Sequence, residues 1–258
     1  MSAAILQSTP FRIIYLVYAW VIVATIWLTG YLLAAILSIG SEHKEYIYNT
    51  ICRRGARLTA TGLGIHAVVE GIENIPEGEP VIFVCNHQSF FDIFTAFCFI
   101  PRNFCFISKE ELFKIPLLGY YMRTAEHIAL PREEDRRSYS TLTKAVRKAR
   151  EGRSLLIFPE GTRSQDGRLG EFKRGISLIV LKAGRRVVPM CIDGSRKFLP
   201  KGAFIPNPAE RNILVRFGKP LDFPRVAKMS KEESIESVDR LREAVERLLE
   251  DTGGGNRG

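Results

Sequence analysis

The sequence predicts an α/β domain built on a mixed, largely buried sheet flanked by helices and preceded by two N-terminal membrane-associated helices. Three observations predict it. Six short apolar or β-branched runs, bounded by turn residues, alternate with helical stretches. No charged residue lies between Arg12 and Glu42. A basic amphipathic stretch follows that uncharged run directly.

The N-terminal segment comes first. Ile13 to Ile39 is almost wholly apolar and carries Trp20, Trp27 and several tyrosines. As a helix it would be ~40 Å long at ~1.5 Å per residue, enough to cross a bilayer core of ~30 Å with tilt or overhang. It lacks the early basic region and small-residue cleavage site of a signal peptide, so it is expected to be retained. The competing reading is a long core helix, which is rarer because few soluble helices are apolar on every face. Thr29-Gly30 leaves room for a kink, and a re-entrant hairpin stays open.

Ser41 to Leu58 changes character. Ile47, Ile51 and Leu58 recur at helical spacing among Lys44, Arg53, Arg54 and Arg57, with Ser41 as the expected N-cap. This reads as a basic amphipathic helix at a membrane surface; the alternative is a solvated helix packed on the domain. Positive charge follows the apolar segment far more than it precedes it. The remainder of the chain is therefore expected on the cytoplasmic face, at the inner membrane if the chain is bacterial.

The strands are expected at Ile65 to Glu70, Val81 to Cys85, Asn103 to Ile107, Ser154 to Phe158, Val187 to Ile192 and Ile213 to Phe217. Helices are expected at Arg136 to Glu151, Lys173 to Ala183 and Lys231 to Glu250. The near-continuous apolarity of the strands points to a sheet covered on both faces. Thr252 to Gly258 is glycine-rich and expected to be disordered. The organisation is then 1–62 membrane-associated helices, 63–250 a catalytic domain, and 251–258 a tail.

With the apolar N-terminus set aside, about 200 residues remain, enough for one well-buried domain. The net charge of +9 favours an anionic partner. An anionic membrane surface or acidic substrate fits better than nucleic acid, because no zinc finger, helix-turn-helix or basic-aromatic RNA motif is visible. The five cysteines, Cys52, Cys85, Cys98, Cys105 and Cys191, have no C-x-x-C spacing and sit mostly in apolar runs. They read as buried, reduced thiols.

Chemistry concentrates in two stretches, each after an apolar strand. In Asn86-His87-Gln88-Ser89-Phe90-Phe91-Asp92, a base and a carboxylate lie at i and i+5. On one helix that spacing rotates them ~140° apart, and on one strand it puts them on opposite faces. They can meet only if a turn intervenes, with His87 in a loop and Asp92 inside the following helix. Asp92 would then fix the imidazole tautomer while the other ring nitrogen removes a proton from an alcohol. A structural histidine is the bland alternative. Metal ligation is not expected, since His43, His66, His87 and His127 include no H-x-x-x-H pair.

The second stretch is Phe158-Pro159-Glu160-Gly161-Thr162-Arg163-Ser164. Arg163 offers a planar fork suited to phosphate oxygens, and Thr162 and Ser164 add hydroxyls. Gly161 permits close backbone approach. Glu160 is expected either to accept from a substrate hydroxyl or to hold Arg163. A structural turn with a surface arginine is the competing reading. Lys109, Lys173 and Arg174 are further cations beside apolar segments.

Together these stretches resemble the glycerolipid acyltransferases, in particular the 1-acylglycerol-3-phosphate O-acyltransferases with the H-x4-D motif. Supporting segments are Ser108-Lys109-Glu110-Glu111-Leu112, Ile115-Pro116-Leu117-Leu118-Gly119, Phe172-Lys173-Arg174-Gly175, Val188-Pro189-Met190, Gly194-Ser195 and Leu199-Pro200-Lys201-Gly202. The resemblance covers roughly Gly62 to Leu221. It implies acyl transfer from acyl-CoA or acyl-carrier protein onto lysophosphatidic acid, giving phosphatidic acid in phospholipid biosynthesis. His87 is implied as base, Asp92 as its orienting partner, and Arg163 as the phosphate-binding residue with Lys109 and Arg132 in support. No metal or redox cofactor is implied. The family also has an N-terminal pair of membrane-associated helices, which fits the two segments above.

One stretch departs from the family pattern. Where the family has an aromatic-apolar-acidic-arginine run after a glycine, this chain has Ala129-Leu130-Pro131-Arg132. The arginine is kept and the acidic position is not, which leaves the acceptor less defined than the reaction. The rivals are an acyltransferase of the same superfamily acting on glycerol-3-phosphate, another lysophospholipid or a lyso-aminolipid, and a non-catalytic lipid-binding protein.

Overall fold

The computed structural model describes residues 9–131, 137–203 and 205–253. Two helices open the chain, α1 (Thr9–Leu37) and α2 (Lys44–Gly62). There follow β1 (His66–Glu70), β2 (Ile82–Cys85), α3 (Phe91–Phe99), β3 (Phe104–Lys109), α4 (Leu118–Thr124), β4 (Ile128–Leu130), α5 (Arg137–Arg150) and β5 (Ser154–Ile157). The chain continues through α6 (Gly175–Ala183), β6 (Val187–Asp193), α7 (Ser195–Phe198), β7 (Asn212–Phe217) and α8 (Lys231–Gly253). The six expected strands are all present. β4 escapes the sequence reading because a three-residue strand is too short to show alternation. α3 escapes the list of helices because Phe91–Phe99 is apolar almost throughout and shows no periodicity.

The strands form one seven-stranded sheet in the order β1-β7-β6-β2-β5-β3-β4. All neighbouring pairs are parallel except β6 with β7, so the sheet is mixed, as expected. Side chains alternate across it: Phe83 and Cys85 face one core, Ile82 and Val84 the other. The first core is closed by α1, α2, α3 and α7, the second by α5, α6 and α8. That double coverage is why β2, β5 and β6 read as unbroken apolar runs. α8 begins with a capping box: Glu233 N–H donates to Ser230 Oγ (3.0 Å), and Ser230 N–H donates to the Glu233 carboxylate (2.7 Å). It runs on to Gly253, past the expected boundary at 250; residues 254–258 of the expected tail lie outside the described residues.

α1 is one continuous helix with no break at Thr29-Gly30. Thr29 Oγ1 donates back to the Thr25 carbonyl (2.7 Å), and Gly30 abuts Ile51 of α2, where a Cβ would come within 3.3 Å. The glycine thus serves helix contact, not a kink. Among the described residues, α1 is the one helix long and apolar enough to cross a membrane. It lies along the domain: Tyr15 OH donates to Leu63 O (2.9 Å), Trp27 Nε1 donates to Thr59 Oγ1 (3.2 Å), and the Trp27 ring meets Phe94 edge-on. The stripe Ile14, Val17, Val21, Leu28, Leu32 and Ile36 stays exposed.

α2 differs from its sequence reading in two respects. Its N-cap is His43, and Ser41 Oγ accepts from the His43 N–H (3.1 Å) one step earlier. Its buried face is Tyr48, Asn49, Cys52, Ala56 and Thr59, while Leu58 is exposed. Tyr48 aside, the inward face is marked by small and polar residues; of the aliphatics read from the sequence, Leu58 points outward while Ile51 packs on Gly30 of α1. Cys52 and Ala56 belong to the main core, which makes α2 a helix packed on the domain.

Candidate active site

Parallel pairing decides where the two chemical stretches meet. In the β2–β5 register Val84 lies beside Ile157, so three residues further on His87 lies beside Glu160. The two loops are then stitched together. His87 N–H donates to Glu160 Oε1 (2.7 Å), Ser164 N–H donates to the His87 carbonyl (2.7 Å), and Gln88 Nε2 donates to the Gly167 carbonyl (3.1 Å). On the other side, the Asn86 amide takes the Ile192 N–H on Oδ1 and donates from Nδ2 to the Ile192 carbonyl, both at 2.9 Å. The His87 loop is thereby held between the C-terminal ends of β5 and β6.

His87 lies in the loop and Asp92 in the first turn of α3, the arrangement their spacing requires. Asp92 Oδ2 accepts from Gln88 N–H (2.7 Å) and Ser89 N–H (2.9 Å) and meets His87 Nδ1 at 2.8 Å. The Asp92 side chain is 0% exposed and that of His87 17% exposed. With Nδ1 facing the carboxylate, Nε2 is the ring nitrogen left to act as base. Phe158 stacks on the imidazole, with centroids 4.2 Å apart and planes 24° apart, and so sets the ring plane. The nearby nucleophile types are occupied or inert. Ser89 Oγ donates to the Leu199 carbonyl (2.6 Å) and accepts from Phe91 N–H. Burial, followed by the charge of Asp92, pushes the Cys85 thiol well above its usual range. All five cysteines are buried and unbridged.

The second loop turns at Gly161, whose φ of 68° is a left-handed conformation that disfavours side chains. Glu160 is 5% exposed; beside the two roles read from the sequence, its surroundings give it a third. Its oxygens accept from the backbone of His87 and of Gly170 (3.0 Å), clamping the His87 loop from below. Burial raises its carboxyl, opposed by those two backbone donors. The Arg163 guanidinium stands 6.0 Å from the centre of the half-exposed Phe90 ring. Lys201 Nζ donates to the Arg163 carbonyl (2.8 Å) and reaches Thr162 Oγ1 (3.4 Å).

Lys109 is exposed at the C-terminal end of β3, on the same sheet edge but with β5 between it and β2, so roughly 10 Å away by strand spacing. Arg132 lies outside the described residues. The sequence reading missed Phe158 as the platform for His87, Asn86 as the tie to β6, Phe90 as the ring under Arg163, and Lys201 as the support of its loop. Lys201 stands in a stretch already noted for the resemblance, but nothing local says that its amine returns across the chain to Arg163.

Fold and site together give an α/β domain with a histidine–carboxylate pair at the C-terminal end of its sheet, and comparison with known proteins says what the chain is similar to. Residues 66–193, just under half of the chain, match the family model described as Acyltransferase. It is 40% identical over 136 residues to a chloroplastic 1-acyl-sn-glycerol-3-phosphate acyltransferase of Arabidopsis thaliana, covering 52% of this chain and 38% of that one. The chain thus spans about two-fifths of the length of that plant relative. A 1-acyl-sn-glycerol-3-phosphate acyltransferase of Pseudomonas aeruginosa is 29% identical over 194 residues, 74% of each chain. The crystal structure of the 1-acyl-sn-glycerophosphate (LPA) acyltransferase PlsC from Thermotoga maritima superposes with a TM-score of 0.80 at 29% identity, covering 96% of this chain and 98% of that one.

Proposed function

We propose that this protein transfers an acyl chain from an acyl thioester, acyl-CoA or acyl-carrier protein, to the free hydroxyl of 1-acylglycerol-3-phosphate, giving phosphatidic acid. The observation that carries the mechanism is the 2.8 Å contact of His87 Nδ1 with a fully buried Asp92, beside a serine and a cysteine that are not free to attack. His87 Nε2 takes the proton of the acceptor hydroxyl as its oxygen attacks the thioester carbonyl. The tetrahedral intermediate collapses by breaking the C–S bond, and the imidazolium returns the proton to the departing thiolate. Asp92 holds the tautomer and stabilises the imidazolium. Arg163 pairs with the acceptor phosphate, with Lys109 and Arg132 as further cations for it. The residues call for no metal or redox cofactor. α1 contacts the anionic bilayer that holds the lysophosphatidic acid acceptor, and the catalytic domain works on the cytoplasmic face.

The test is an acceptor panel with purified enzyme, one acyl-CoA, and lysophosphatidic acid, glycerol-3-phosphate and a lysophospholipid without a phosphomonoester. Lysophosphatidic acid is expected to be used best, and His87→Ala to lose about 10²–10⁴-fold in kcat. Near-normal turnover by folded His87→Ala refutes the mechanism. Preference for another acceptor replaces the substrate reading and keeps the chemistry, an outcome to which the altered Ala129-Leu130-Pro131 stretch draws attention.

A further inference from the structure

The stretch Ile115-Pro116-Leu117-Leu118-Gly119 carries no group for acyl transfer, yet it is among the most strained parts of the described backbone. Leu117 has φ 61° and ψ −56°, and Leu118 N–H donates to the Pro116 carbonyl at 2.7 Å. That is a γ-turn of the rare, strained kind, with a leucine at its centre. Apolar residues are turned outward around it: Ile115 is 46% exposed, Leu117 56% and Tyr120 46%. The turn is braced from inside. A Cβ on Gly119 would stand 2.0 Å from the Phe113 carbonyl, and Arg123 donates to that same carbonyl at 2.6 Å. A fold that holds a leucine outward at the cost of strain is not explained by its own core. The tip is continuous with the N-terminal helices, because the Tyr120 ring meets Tyr31 of α1 at 6.0 Å and Tyr48 of α2 at 6.1 Å. Exposed Lys109, Lys114 and Arg123 lie around it, as suits anionic headgroups.

We infer that the Ile115–Tyr120 turn is a second membrane contact, which dips Ile115 and Leu117 into the headgroup and acyl boundary of an anionic bilayer beside α1. The inference rests on the reading of α1 as a membrane-contacting helix. Two contacts would fix the rotation of the catalytic domain on the membrane, where one helix alone leaves it free to roll.

The experiment is flotation of full-length protein with phosphatidylglycerol/phosphatidylcholine vesicles, using Ile115→Ser/Leu117→Asn beside Val17→Asp/Val21→Asp in the exposed stripe of α1. Asparagine tolerates the left-handed backbone, so the turn is kept. Loss of two half-exposed aliphatic side chains is expected to weaken partitioning about ten- to a hundredfold. Wild-type partitioning of the turn variant while the α1 variant releases overturns the inference and leaves the α1 reading standing. Wild-type partitioning of both overturns the two together. A changed oligomeric state in detergent with unchanged partitioning overturns it in favour of a second copy of the chain. Ile115→Cys bearing an environment-sensitive dye gives an independent readout, since the five native cysteines are buried. A blue shift on adding vesicles is expected, and water-like emission overturns the inference.

Discussion

Arg163 stands over the Phe90 ring while Lys201 holds its carbonyl, so the guanidinium is aimed by its neighbours instead of wandering in solvent. Arg163→Ala is expected to raise the KM for lysophosphatidic acid about 10–150-fold, the worth of a charge-assisted contact of roughly 1.5–3 kcal/mol. The thioester KM should move little, and lysine should rescue only in part because it lacks the planar fork. Equal changes in both KM values would return Arg163 to a structural role. Glu160 makes a different prediction. Its two oxygens serve two backbone donors, and a glutamine amide offers only one acceptor. Glu160→Gln should therefore lower stability by about 1–3 kcal/mol and reduce kcat with little change in either KM. Unchanged kcat in a less stable protein would separate the clamp from the chemistry.

His127, between α4 and β4, gives the described elements a pH-sensitive joint. Its Nδ1 accepts from Phe106 N–H (3.4 Å) and its Nε2 meets Tyr121 OH (3.0 Å), so both nitrogens are used in the neutral form. Burial, then the nearby Lys148 charge, lowers its pKa from 6.5 to about 3. A depressed folded-state pKa stabilises above the unfolded value and loses that contribution as pH falls toward the folded one. Unfolding free energy should thus drop between about pH 6.5 and 3, at up to ~1.4 kcal/mol per pH unit. His127→Gln should flatten that slope in denaturant titrations; the same slope in the variant would assign it to other groups. The element scale also shows the limits of pattern. α1 was legible from length and uniform apolarity, whereas the inward face of α2 was not, because Cys52, Ala56 and Thr59 carry little hydrophobic signal.

At the scale of the whole molecule, α1 lies along the α/β domain with one side on α2 and α3 and the other exposed. That geometry favours a helix lying against the bilayer over one standing away from the domain. Val17→Asp/Val21→Asp is expected to release the protein from anionic vesicles at both low and high salt. Arg54→Glu on α2 should weaken binding at low salt only, by about 1 kcal/mol for each charge near the surface. Retention of the α1 variant at high salt would move the anchor elsewhere on the domain. Substitution is a cleaner test than deletion of the first forty residues, since deletion would uncover Ile51, Thr59 and Phe94, which α1 covers.

The fold class, six of the seven strand positions and the His87/Asp92 pairing were determined by the sequence alone. Apolar runs long enough to show period, and a base and carboxylate whose spacing permits contact only across a turn, are local signals. Tertiary structure decided what required distant segments to meet. Glu160 reaches the His87 backbone because β2 and β5 pair in one register, Asn86 ties to Ile192 because β6 lies on the other side of β2, and Lys201 crosses back to Arg163. Each of these contacts joins residues far apart in the chain, and strand order and register, which bring them together, follow from the packing of the whole sheet and not from any single stretch of sequence.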